Sequence, residues 1–282
     1  MPFMAILTLH CPDRPGIVAK VATCLHENGC NIEESAQFHD KMTNRFFMRV
    51  LTSKVDASVV DTFCDQFVGV ADSYDMDWHF HDAETPVKTL IMVSQEDHCL
   101  HDLLYRIRSG HINMDVVAIV SNHDNCRLLA ERYGISFYHM PITPDNKPAQ
   151  EATLKEIASN ANAELIILAR YMQILSDDVC KMYHGRMINI HHSFLPGFKG
   201  ARPYTQAYER GVKMIGATAH FVTKDLDEGP IIAQETLSVT HADTAQDLRN
   251  KGRDIEARVL SAAAALYAER RVFLHNGRTV IL

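Results

Sequence analysis

Between residues 87 and 191, five short apolar runs alternate with four helical stretches. That alternation constrains the fold more than any other feature of the 282-residue chain. The runs are VKTLIMV (87–93), MDVVAIV (114–120), ISFYH (135–139), ELIILA (164–169) and MINIH (187–191). The stretches between them, near 99–109, 125–133, 148–160 and 176–184, have helical composition, and the last carries a start signal. Ser176 is placed to cap it, and Asp177 and Asp178 fall in its first turn, where the helix dipole favours acids. A strand with no polar face is buried on both sides. Such strands, joined by helices, make a mostly parallel, doubly wound, Rossmann-like α/β sheet. Open sheets of this kind receive ligands outside the carboxyl ends of their strands. Asn189 and His191 occupy one such end; Ala169, Arg170 and Tyr171 occupy another.

The first 82 residues follow a different rule. They read as strand 4–10, helix, strands 31–39 and 45–52, helix 57–68 and strand 74–81. This β-α-β-β-α-β order is ferredoxin-like, an α+β arrangement. Ile17, Val21 and Leu25 recur every four residues on one helical face. Asp13 is expected to cap that helix, with Pro15 in its first turn, and Gly29 fits its left-handed end. AETPV (83–87) reads as a linker, giving expected domains of 1–83 and 84–282. Beyond 191 the alternation lapses into two antiparallel strands (215–223 and 230–239), a long helix (243–270) and a hairpin at Asn276-Gly277.

Composition sets the outer limits. A net charge of −7 without a long basic run argues against nucleic acid as the main partner. No apolar run reaches the length of a membrane helix, and the N-terminus has no signal-peptide pattern. The seven cysteines are scattered, with no CxxC pair. They read as reduced, core-filling thiols of a cytoplasmic protein.

CPDRPGIVAKV, with GCNI near residue 30, resembles the ACT family of small regulatory domains over roughly residues 4–82. The resemblance implies an effector site for a free amino acid at Asp13, Arg14, Gly16 and Asn31, with glycine or methionine as the expected effector. It also implies a homo-oligomer, a dimer or tetramer. Exposed N–H groups at a helix start suit a carboxylate. Asp13 as a plain cap, and the domain as a subunit joiner, are equally open readings.

MINIHHSFLPG (187–197) concentrates the chemistry. His191 and His192 are strand neighbours, so their side chains are expected on opposite faces, an arrangement unsuited to sharing one metal ion. No HExxH pair occurs elsewhere, and no metal is expected. Ser193 lacks the GxSxG setting of an activated nucleophile. Asn189 and His191, two apart, share a face, and an amide N–H and an imidazole N–H converging on one point can hold an oxyanion. HFVTKDLDEGPII (220–232) supplies candidate carboxylates to orient the imidazole: Asp225, Asp227 and Glu228. A buried Asn–His–Asp network also has a purely structural reading.

NIHxSxLPxxxG, GATAHFVT and LDEGPII, in this order, resemble the N10-formyltetrahydrofolate formyltransferase fold family over about 87–240. The resemblance implies Asn189, His191 and Asp227 as the catalytic trio. It implies folate contacts at Leu168, Arg170, Tyr171, Met172 and Ile174, completed by the loop that includes Thr223 and Asp225. His192 stands where formyl-transferring relatives usually have proline. The loop VSQEDHCL (93–100) has no glycine and carries Glu96 and Asp97, so it suits a nucleotide phosphate poorly. The ACT pairing, NIHHSFLP and GAxPY together resemble the formyltetrahydrofolate deformylase family over nearly the whole chain. That implies hydrolysis of 10-formyltetrahydrofolate to tetrahydrofolate and formate, with water as co-substrate and no cofactor, balancing the one-carbon pool and feeding formate to purine synthesis. A formyltransferase with an unknown amine acceptor, or a regulatory folate- or amino-acid-binding protein, are the alternatives.

Overall fold

The computed structural model describes residues 2–197 and 203–282. They group into two compact units: 2–86 with 269–273 and 280–282, and 87–197 and 203–268 with 274–279.

The first unit runs β1 (Phe3–Pro12), α1 (Ile17–Glu27), β2 (Ile32–Asp40), β3 (Arg45–Val55), α2 (Ala57–Tyr74) and β4 (Asp77–Asp82). Its sheet is antiparallel with order β2-β3-β1-β4, the expected ferredoxin-like arrangement. Ile17, Val21 and Leu25 are buried as their spacing requires. They join a core in which Phe63 stacks on Phe67, centroids 5.0 Å apart, and meets Phe80 at 4.8 Å. Two local expectations fail. Asp13 does not cap α1: the cap position is Gly16, in the left-handed region at φ 94°, and it contributes no side-chain bond. The Pro15-Gly16 turn delays the helix to Ile17, beyond the reach of Asp13. The second helix continues to Tyr74, which moves the last strand to Asp77–Asp82.

The second unit runs β5 (Val87–Val93), α3 (His98–Arg108), β6 (Met114–Ser121), α4 (Arg127–Arg132), β7 (Phe137–His139), α5 (Lys147–Asn160), β8 (Leu165–Ala169), α6 (Asp177–Met182), β9 (Met187–His191), α7 (Pro203–Glu209), β10 (Met214–Phe221), β11 (Ile231–Ser238) and α8 (Ala245–Ala268). β12 (Val272–His275) and β13 (Arg278–Ile281) form a separate two-stranded hairpin. The seven strands take the order β11-β10-β9-β8-β5-β6-β7. Pairing is parallel from β9 through β7 and antiparallel at β9–β10 and β10–β11. Every residue of β8 is buried, as its unbroken apolar run demands. Ser176 caps α6, accepting from Val179 N at 3.4 Å. The chain winds one way from β5 to β7, then returns to the other side of β5 at β8. This reversal opens a crevice at the carboxyl ends of the central strands. No helix among the described residues is long and apolar enough to cross a membrane, and all seven cysteines are free.

Candidate active site

Strand register assembles the site. The β9–β10 pairing sets Asn189 opposite His220 and His191 opposite Thr218. Thr218 then anchors the segment leaving β9: its hydroxyl donates to Ser193 O at 2.9 Å and accepts from Leu195 N at 3.1 Å and Gln234 Nε2 at 2.9 Å. The Ser193 hydroxyl donates to Gly197 O at 2.7 Å.

Asp227 enters from the loop between β10 and β11. Its backbone is left-handed at φ 57°, a conformation aspartate tolerates better than most residues. This places Oδ1 3.2 Å from His191 Nδ1 and 3.9 Å from His220 Nε2. Gly229, two residues on, is required by contact. A Cβ there would stand 1.7 Å from Phe221 O, so only glycine lets the loop lie on the end of β10. His220 donates from Nδ1 to Phe221 O at 2.8 Å. That leaves Nε2 as an acceptor for the Asn189 amide, 3.3 Å away. The network therefore has four members, Asn189, His220, Asp227 and His191. His220 went unrecognised in the sequence because its role depends on a register that no local pattern encodes. Its signal was a polar residue in the apolar run IGATAHF.

The electrostatics follow from burial. Burial pushes the Asp227 carboxyl up, but the hydrogen bond from His191 and the neighbouring imidazoles outweigh it, so the net shift is downward. Burial lowers His220. Burial, then the nearby Arg170 cation, lowers His192 to about 3. Both histidines are neutral at pH 7. His192 also departs from expectation. The strand ends at His191 and the chain bends, so the alternation of faces stops, and the two imidazole centroids lie 5.2 Å apart.

These buried histidines link stability to pH. Unfolded histidines take up protons near pH 6.5, whereas His192 and His220 in the folded state do so only at lower pH. The unfolded state binds more protons in that window, so stability falls as pH drops from about 6.5 towards 3. The slope is at most about 1.4 kcal/mol per pH unit for each group. Denaturant unfolding across pH 4–7 measures it, and His192→Gln should flatten the slope. A slope unchanged in that variant would contradict the assignment.

A cleft beside the network is lined by Leu168, Arg170, Tyr171, Met172, Ile174 and Thr223, together with Asn189, His191, His192, Asp225 and Asp227. All the sequence-nominated folate contacts thus share one cavity with the nominated trio. Tyr171 is buried, and burial raises its hydroxyl to about 12. Met172, Ile174 and Leu226 leave 54, 63 and 56% of their surface exposed at the cleft, an apolar rim suited to covering by a ligand. Thr223 donates to Asp225 O at 3.1 Å, bracing the loop. Gly200 and Ala201 of the GAxPY motif lie outside the described residues.

The residues nominated for an effector site are dispersed in their bonding. Arg14 donates to Asp75 at 2.8 Å, Asp13 lies 3.6 Å from His39, and Asn31 donates to Glu33 at 3.3 Å. Gly16 keeps its backbone turn, and the Tyr74 hydroxyl would stand 3.0 Å from an added Cβ.

Residues 87–264 match the Formyl transferase family and residues 5–65 match the ACT domain family. A formyltetrahydrofolate deformylase of Corynebacterium sp. (strain P-1) is 49% identical over 278 residues, covering 98% of this chain and 97% of the relative. The chain belongs to the formyltetrahydrofolate deformylase family. The deformylase of Bacillus subtilis (strain 168) is 42% identical, covering 98% of this chain and 92% of its own length. The crystal structure of the Burkholderia mallei ATCC 23344 deformylase superposes with a TM-score of 0.94 at 47% identity, covering all of both chains. The deformylase fold is therefore shared from end to end, ACT domain included.

Proposed function

We infer that the chain hydrolyses 10-formyltetrahydrofolate to tetrahydrofolate and formate. One observation carries the reading: a buried carboxylate, an imidazole and an amide converge at the carboxyl end of β9, in the cleft of a chain whose full-length relatives are named deformylases. The folate lies along 168–175 and the 223–228 loop, with its formyl carbonyl towards Asn189 and His191. Asn189 gives one amide N–H to His220 and turns the other on the oxygen. Asp227 accepts from His191 Nδ1–H, so Nε2 is the nitrogen that meets the carbonyl, and it donates there as the imidazolium, with both ring nitrogens carrying a proton. Asp227, ionised at neutral pH, positions the attacking water and takes its proton.

The new bond joins water oxygen to the formyl carbon, and the tetrahedral oxyanion rests on Asn189 and His191. Collapse breaks the bond from that carbon to N10, which takes up the proton Asp227 received, passed on through His191 or water. Formate leaves as the anion and the second proton of water passes to solvent. No cofactor is required. The reaction places the enzyme at a balance between formylated and free tetrahydrofolate, with formate available to purine synthesis.

The ACT domain makes an amino acid the class of effector, with glycine and methionine as the candidates, and ACT pairing makes the working form a dimer or tetramer. The test of the activity is formate release from 10-formyltetrahydrofolate by purified protein with no amine added. Steady release is expected. No release alone, with tetrahydrofolate appearing only when an amine is supplied and formylated, would make the chain a transferase.

A further inference from the structure

Next to the cleft, four polar side chains from four elements meet in a buried cluster that the mechanism leaves unused. Glu256 of α8, 1% exposed, is its centre. Tyr204 of α7 donates to Glu256 Oε1 at 2.5 Å, and His98 Nε2 lies 2.9 Å from Oε2. Arg170, just after β8, brings Nε to 3.2 Å from the same Oε2. The packing is specific. Gly252, one turn before Glu256 on α8, admits the Tyr204 ring, which would stand 2.1 Å from any added Cβ. Arg170 itself is left-handed at φ 62°.

His98, Cys99 and Glu256 place ligand atoms within 4.8 Å of one another, yet the cluster suits no metal ion. Both Glu256 oxygens are engaged, burial holds the Cys99 thiol protonated, and the Arg170 cation stands alongside. The unmet demand is for an acceptor. Arg170 has five N–H donors, its side chain is 12% exposed, its Nε faces Glu256 Oε2, and its Nη1 is buried without a hydrogen-bond partner among the described residues. Buried donors left unmatched are costly. A planar carboxylate is the ligand whose two oxygens match a guanidinium fork.

Arg170 lines the same cleft as Asn189, His191 and His192. We propose that the Arg170 guanidinium, positioned by Glu256, is the receptor for the one-carbon carboxylate, the formate that forms at His191. The proposal rests on the hydrolytic reading, since transfer to an amine yields a neutral amide with no use for a cation. It gives Arg170 a role towards the small product, in addition to any contact with the folate. Glu256 is the positioning residue: its charge and Oε2 hold the guanidinium at the wall, with Tyr204 on Oε1 and His98 on Oε2 as supports.

The test titrates carbon-13 formate against the full chain and follows the formate signal, with tetrahydrofolate binding as a control for an intact cleft. Wild type is expected to bind formate saturably. Arg170→Gln should weaken formate binding at least tenfold, and Glu256→Gln, which changes no folate contact, should weaken it by less with tetrahydrofolate binding within twofold of wild type. Arg170→Gln alone strands the Glu256 charge. If that variant does not fold, the double variant Arg170→Gln/Glu256→Gln removes both charges together and carries the same expectation. Formate binding within twofold of wild type in the folded variant, or no saturable formate binding by wild type, overturns the proposal. Failure of the hydrolytic reading shows separately, as absence of formate release from 10-formyltetrahydrofolate.

Discussion

Asp227→Ala should lower formate release from 10-formyltetrahydrofolate by at least about a hundredfold, the scale typical of losing a group that stabilises or sets up a transition-state charge. The carboxylate has two tasks that alanine cannot share. It fixes the His191 ring through a 3.2 Å contact at Nδ1, and in the proposed mechanism it takes the proton of water. Asn189→Ala should match it in scale by a different route, since in the proposed mechanism the amide is the second donor to the oxyanion. Both variants remove polar groups from a buried network, so a melting curve alongside the kinetics separates lost chemistry from lost fold. Near-wild-type turnover in both folded variants would sink the catalytic assignment.

Gly229→Ala should be nearly as damaging although residue 229 touches no substrate. The added methyl would collide with Phe221 O at 1.7 Å and crowd His220 Nδ1 at 3.1 Å. The loop has to lift from β10, and it carries Asp227. A displacement on the order of 1 Å at a reacting group costs about a hundredfold in rate, and overpacking of this kind costs about 1–3 kcal/mol in stability. The expected result is a folded but destabilised protein with kcat down about a hundredfold. Activity within twofold of wild type would show that the loop is not seated on β10 as described.

The second unit was legible because its central strands, β5 and β8 above all, are buried on both faces, and an unbroken apolar run between helices has few other solutions. The positions of Asn189 and His191 at a strand end followed directly from that. His220 escaped because its partnership with Asn189 is a matter of register across β9 and β10, set by tertiary packing rather than by local pattern. His192 was misjudged on one residue of strand length, since alternation of faces holds only while the strand continues. Asp13 was misjudged for a similar reason: the turn at Gly16 moves the helix start beyond its reach. The Glu256 cluster draws on residues 98, 170, 204 and 256, whose meeting point no sequence spacing reveals.

The account turns on water attack at a carbonyl held by Asn189 and His191 and served by Asp227. The most direct measurement is a single turnover of formyl-labelled 10-formyltetrahydrofolate in oxygen-18 water, without amine, for wild type and Asp227→Ala side by side. One oxygen-18 atom in each formate from wild type, with formation in Asp227→Ala slowed at least about a hundredfold, is the predicted result. Labelled formate formed at the same rate by both proteins would contradict the assigned role of Asp227. Formyl label recovered only on an added amine would contradict hydrolysis itself.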